Sequence, residues 1–165
     1  MSLSNDLNEL IKNSEWTTAV GSSILLFGRL EVKINYLLFI YITPNALSEK
    51  LRVVNLSRKI ELIRSVFNWP HEKTPKEVRL IVLLKRASGL LTTRNLIAHN
   101  GLMWGHFDDE SSDEKSSVRL VNPNIGKGRF KSLALHEIQA FVKSVEELLN
   151  DFEALDNEDG IGVPF

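Results

Sequence analysis

Arg94, Asn95 and His99 stand together in "LLTTRNLIAHNGLMWG", residues 90–105, where a long apolar run comes to its end. Each brings a different chemistry. An imidazole takes up and returns a proton near neutral pH, which suits general acid or base work. A guanidinium stays charged and presents a planar fork that holds a phosphate oxygen or a carboxylate. An asparagine amide donates and accepts, so it can orient either neighbour. At about 100° per residue, positions 95 and 99 fall about 40° apart, on one helix face and one turn from each other. Positions 94 and 99 are about 140° apart, so Arg94 stands to the side and reaches back with its long side chain. A second reading needs no chemistry. The macrodipole favours a histidine at a helix C-terminus, Asn100-Gly101 is a common helix stop, and Arg94 is then a surface residue.

The helix that carries this group has the clearest start in the chain. Thr74-Pro75-Lys76-Glu77 puts Thr at the N-cap, Pro at N1 and Glu at N3, a capping box. The helix then runs through Leu80, Leu84, Ala87 and Leu91 to about His99. Upstream, residues 4–12 predict a short helix and residues 15–42 a long one. The long helix is apolar on most faces, interrupted by Arg29, Glu31, Lys33 and Asn35, so it is read as buried centrally or at a subunit interface. Thr43-Pro44 stops it. Residues 45–68 read as helical, broken near Asn55 and closed by Asn68-Trp69-Pro70.

Beyond Gly101 the pattern changes. "LMWGHF" and "SVRLV" read as strands on either side of "DDESSDEKS", and "GRFKSL" adds a third after the turn residues Asn122-Pro123-Asn124 and Gly126. A final helix covers about 135–155, where Ile138, Phe141, Val145, Leu148 and Phe152 recur at spacings of three and four. These readings predict an all-α fold of a single domain, residues 1–165. It is a bundle of four to five helices with a small β-hairpin inserted before the last one. The core spans about 15–155, a polar loop 108–117 and an acidic tail 156–165.

The chain has 165 residues, 43% of them hydrophobic and 25% charged, which suits one soluble globular domain. It has no cysteine, which excludes disulfides, thiolate metal sites and a cysteine nucleophile. "MSLSNDLNELIKN" lacks the basic-then-apolar order of a signal peptide. The longest apolar run, Tyr36 to Ile42, falls far short of the ~20 residues that span a bilayer. A cytoplasmic protein without a membrane partner is expected.

The net charge of −1 hides an uneven distribution. Glu49 to Arg94 holds 11 basic and 4 acidic residues; Asp108 to Asp159 holds 6 basic and 13 acidic. The bland reading is solvated helix faces. The sharper one is a basic middle that meets phosphates while the acidic tail faces elsewhere. Lys85 and Arg86 lie in that basic middle.

Other patterns carry less. His71, His106 and His136 have no ligand spacing, so no metal site is expected. "DDESSDE" lacks the alternating ligands and turn glycine of an EF-hand. Gly21-Ser22-Ser23 opens like a nucleotidyltransferase motif, but no paired Asp-x-Asp follows. "GSSILLFG" lacks the Gly-Lys-Ser/Thr ending of a phosphate loop. Trp16, Trp69 and Trp104 are too scattered for a base-stacking platform and read as core or interface residues.

"RNLIAHN", with a polar residue directly after the arginine, resembles the R-x4-6-H motif of the HEPN superfamily. The order of elements is similar too, over roughly residues 15–155: a long first helix with an internal Glu31, a basic segment "SRKIELIRSVF", the motif at a helix end, and a last amphipathic helix. Asn100 departs from the small residue that often follows the histidine. The resemblance implies a metal-independent endoribonuclease of toxin or phage-defence type, with no cofactor. Arg94, Asn95 and His99 are then its catalytic set, and Lys85 and Arg86 contact RNA. It implies a homodimer whose two motifs make one composite cleft, and an antitoxin protein as a further partner. The alternative is a non-catalytic HEPN-like module that binds RNA, a nucleotide or a protein.

Overall fold

The computed structural model describes residues 14–42, 51, 53–70, 72–99, 101–105, 117–121 and 132–158. Four helices dominate them: α1 (Ser14–Ile42), α2 (Leu56–Phe67), α3 (Pro75–His99) and α4 (Leu135–Asn157). The helix read over 4–12, most of the polar loop and the end of the acidic tail lie outside the described residues.

The helix ends follow local chemistry. Asn55 caps α2: its side chain accepts from the Arg58 N–H at 2.9 Å, with extended backbone at ψ 157°. The break read near Asn55 is this cap. α3 starts with the reciprocal pair of a capping box. The Thr74 N–H donates to Glu77 Oε2 at 2.8 Å, and the Glu77 N–H donates to Thr74 Oγ1 at 3.2 Å. α1 ends at Ile42, immediately before Thr43-Pro44. α4 continues to Asn157, past the residue 155 read from the sequence. Buried Leu155 and the pairing of Asp156 with Lys33 hold that last turn in place.

Three short strands precede α4: β1 (Gly101–Gly105), β2 (Ser117–Val121) and β3 (Ser132–Leu133), paired antiparallel in the order β1-β2-β3. Met103 faces Arg119 across the first pairing, and Leu120 faces Leu133 across the second.

The chain divides into two compact units. The first takes the residues up to Leu25 together with 92–143. Trp16, Ala19, Leu96, Ile97, Ile138 and Phe141 are its buried apolar residues on helices. Ser23 is buried among them and satisfied, donating to the Val20 carbonyl at 2.7 Å.

The second unit takes residues 26–91 and those from 144 onward. Its fully buried side chains come from all four helices: Leu30 and Ile34 of α1, Ile63 of α2, Leu84 of α3, Val145 and Leu148 of α4. Their spacings of three and four put one stripe of each helix inside. Tyr41 packs edge-to-face on Phe67, with centroids 4.9 Å apart and an interplanar angle of 70°. Charge also joins this unit. Arg29 pairs with Glu153, Lys33 with Asp156, Arg79 with Glu158 and Arg86 with Asp151. For Arg79 and Arg86 this corrects the expectation that the basic middle and the acidic tail face apart. The second unit brings the two segments together, and opposite charges pair where α3 meets α4.

Candidate functional site

The last two turns of α3 are divided sharply by burial. Leu96 and Ile97 are buried in the first unit, 7% and 5% exposed. Asn95, Ala98 and His99 are exposed, and Arg94 is half-buried. In helical projection, positions 94, 98, 95 and 99 follow one another over an arc of about 140°, with 96 and 97 on the opposite side. The two apolar residues therefore fix the rotation of the helix end and turn the polar set outward.

Within that arc Arg94 Nη1 donates to Asn95 Oδ1 at 3.2 Å. Adjacent Cα–Cβ bonds on a helix diverge, so this bond depends on the length of the arginine side chain. The bond leaves the Asn95 amide NH₂ as a donor and sets the lean of the guanidinium. His99 is the last residue of α3. One helical turn separates it from Asn95, with about 6 Å between their Cβ atoms. The arrangement offers a cation, an amide and an imidazole on one solvent-facing strip. That set can hold a phosphate and move a proton.

Lys85 and Arg86 belong to the second unit and are exposed. Arg86 is already paired with Asp151. His136, on α4, is exposed, while His71 and His106 lie outside the described residues. Among the described residues no group of three or more His, Cys, Asp and Glu side chains is placed to hold a metal ion. None of the described helices is long and apolar enough to cross a membrane. Trp16 is buried and Trp69 exposed.

Sequence reasoning missed a polar cluster in the second unit. Lys33 is only 4% exposed, pairs with Asp156, and lies 5.4 Å from the Tyr36 ring centroid and 6.0 Å from that of Phe152. Buried Lys59 donates to Asn35 Oδ1 at 2.9 Å. The Tyr41 phenol is held above its ordinary value of 10.0, first by burial and then by the Glu77 and Asp156 carboxylates. The available signal was a lysine interrupting an otherwise apolar helix.

No protein-family model, curated protein or solved structure matches this chain.

Proposed function

We propose that this chain is a metal-independent endoribonuclease of the HEPN type, acting as a homodimer in toxin or phage-defence biology. The fold assignment within that proposal is a HEPN-like bundle whose β-hairpin precedes the last helix. The observation that carries the reading is the solvent-facing strip at the end of α3, where Arg94 is bonded to Asn95 and His99 lies one turn on.

In the reaction, His99 of one protomer takes the proton from a ribose 2′-hydroxyl. The freed oxygen attacks the adjacent phosphorus. Arg94 holds a non-bridging oxygen and balances the charge that builds there. The P–O5′ bond breaks, and the departing oxygen takes a proton from His99 of the partner subunit. The products are a 2′,3′-cyclic phosphate and a 5′-hydroxyl. Lys85 binds RNA, as does Arg86 by exchanging Asp151 for a phosphate, and an antitoxin protein restrains the enzyme.

The test is cleavage of a labelled RNA by the wild type and by His99→Ala. Cutting by the wild type alone, undiminished by EDTA and yielding cyclic phosphate ends, is the expected result. Equal cutting by both proteins, or a requirement for Mg²⁺, overturns it. One observation favours a second reading: Arg94 is half-buried with its guanidinium hydrogen-bonded within the chain, as a structural arginine would be. The protein is then a non-catalytic HEPN-like module for RNA, a nucleotide or a protein. The outcome for that reading is binding without cleavage by either protein.

A further inference from the structure

Gly28 leaves a gap on the surface of α1: a Cβ at this position would meet nothing within 4 Å. The gap belongs to a groove of about 400 Å³ between α1 and α4, and every described residue that lines it lies in the second unit. Leu149 and Phe152 of α4 are its buried walls, 7% and 1% exposed, and Val32 of α1 is its outer one. Arg29 and Lys33 on α1 and Glu153 on α4 complete the described lining. Carbon forms nearly all of the accessible wall.

The geometry points to a binding site in this groove for a compact, neutral aromatic molecule of one or two fused rings. Size is the first argument. The lining runs from Gly28 to Lys33, about 8 Å along α1, and from Leu149 to Glu153, about 6 Å along α4. A docked helix anchors over positions i to i+7, about 11 Å, and needs a longer trough. An extended peptide would bring backbone N–H and C=O groups against carbon walls that cannot pair them. The volume is that of a small-molecule pocket, which typically holds about 300–1,000 Å³.

Charge selects a neutral occupant. Arg29 is paired with Glu153 at 3.4 Å, and buried Lys33 with Asp156. Both cations of the lining are therefore matched before anything binds. An anion gains a cation here only by displacing a carboxylate, and an organic cation meets a Glu153 that is already engaged. A neutral molecule disturbs neither pair. Phe152 favours an aromatic one, since rings attract one another beyond the area they bury. The site is independent of the ribonuclease reading, which rests on Arg94, Asn95 and His99.

The test is titration of the full chain at neutral pH with two fluorescent probes that share a ring system. These are 1-aminonaphthalene, which is neutral there, and 5-aminonaphthalene-1-sulfonate, which is an anion. The neutral probe should bind saturably, one to one. The sulfonate should bind at least about tenfold more weakly, because it gives up its hydration for walls whose cations are already paired. Glu153→Gln releases Arg29, so it should raise the affinity for the sulfonate and leave that for the neutral probe nearly unchanged. Gly28→Leu places a side chain in the groove and should abolish saturable binding at unchanged helicity. If that variant fails to fold, NOEs from the neutral probe to the Val32 and Leu149 methyls of the wild type decide. Equal affinity for the two probes would overturn the inference, as would a signal that never saturates. So would binding that persists in folded Gly28→Leu, NOEs only to other methyls, or a sulfonate affinity that Glu153→Gln does not move.

Discussion

At the scale of single residues, Arg94 is the most informative position. Its guanidinium bonds Asn95 through one nitrogen, and a planar fork of this kind is suited to a phosphate. Arg94→Ala should therefore weaken RNA binding and cleavage together. Arg94→Lys should restore only part of either, because a point charge replaces a fork that can bond in two directions. Both are read from filter binding and cleavage of one labelled RNA; full rescue by lysine would reduce Arg94 to a simple charge. Tyr41 gives a prediction on stability instead. Its phenol holds its proton more tightly in the fold than in the unfolded chain, because burial and two carboxylates oppose the phenolate. That contribution is complete below the unfolded value near 10 and is lost as pH rises through the folded value. Tyr41→Phe should flatten the alkaline fall in stability. Urea unfolding of both proteins on either side of pH ~10 checks this.

At the scale of elements, α3 links chemistry to architecture. Its start is fixed by Thr74 and Glu77, 25 residues before its end at His99. Thr74→Ala removes the acceptor for the Glu77 N–H and should cost about 1 kcal/mol. The measurement is the urea midpoint at constant m-value. A loss nearer zero would mean that packing of Leu80 and Leu84, not the cap, sets where the helix begins. The far end is held differently. Leu96 and Ile97 anchor it, and the polar set is aimed by their burial. Both the capping box and the helix stop were legible in the sequence, since each depends on neighbours within four residues. The Arg94–Asn95 bond was legible only as a possibility, because an arginine long enough to reach Asn95 is long enough to reach elsewhere.

At the scale of the whole molecule, the basic stretch is partly matched by acidic residues that lie far from it in the sequence. Arg79 and Arg86 are matched by Glu158 and Asp151 in the second unit. These pairs are half exposed, and such pairs add little stability, typically ~1 kcal/mol or less. Lys33 differs, with its side chain only 5% exposed beside Asp156. Asp156→Ala leaves a buried ammonium without its carboxylate and should cost about 3 kcal/mol. Lys33→Met keeps the apolar stem between the Tyr36 and Phe152 rings and removes the charge, so it should cost clearly less. Thermal unfolding of the two variants side by side checks the order. The reverse order would mean that Lys33 contributes through its charge and not its packing.

What the sequence determined by itself is whatever depends on short-range neighbours. The span of α1, the cap at Thr74, the stripe of α4 and the grouping of Arg94, Asn95 and His99 all follow from spacings of a few residues, because helix geometry is set locally. The candidate site was legible as a group for the same reason, since its three residues lie within six consecutive positions. What only the tertiary structure decided is where distant segments meet. The long helix read as buried or interfacial is divided residue by residue, with Leu30 and Ile34 fully inside and Val32 and Phe39 outside. Lys33 has a partner 123 positions away and Arg86 one 65 positions away. No local pattern encodes such pairings, because a charge on a helix shows its sign in the sequence but not the element that packs against it.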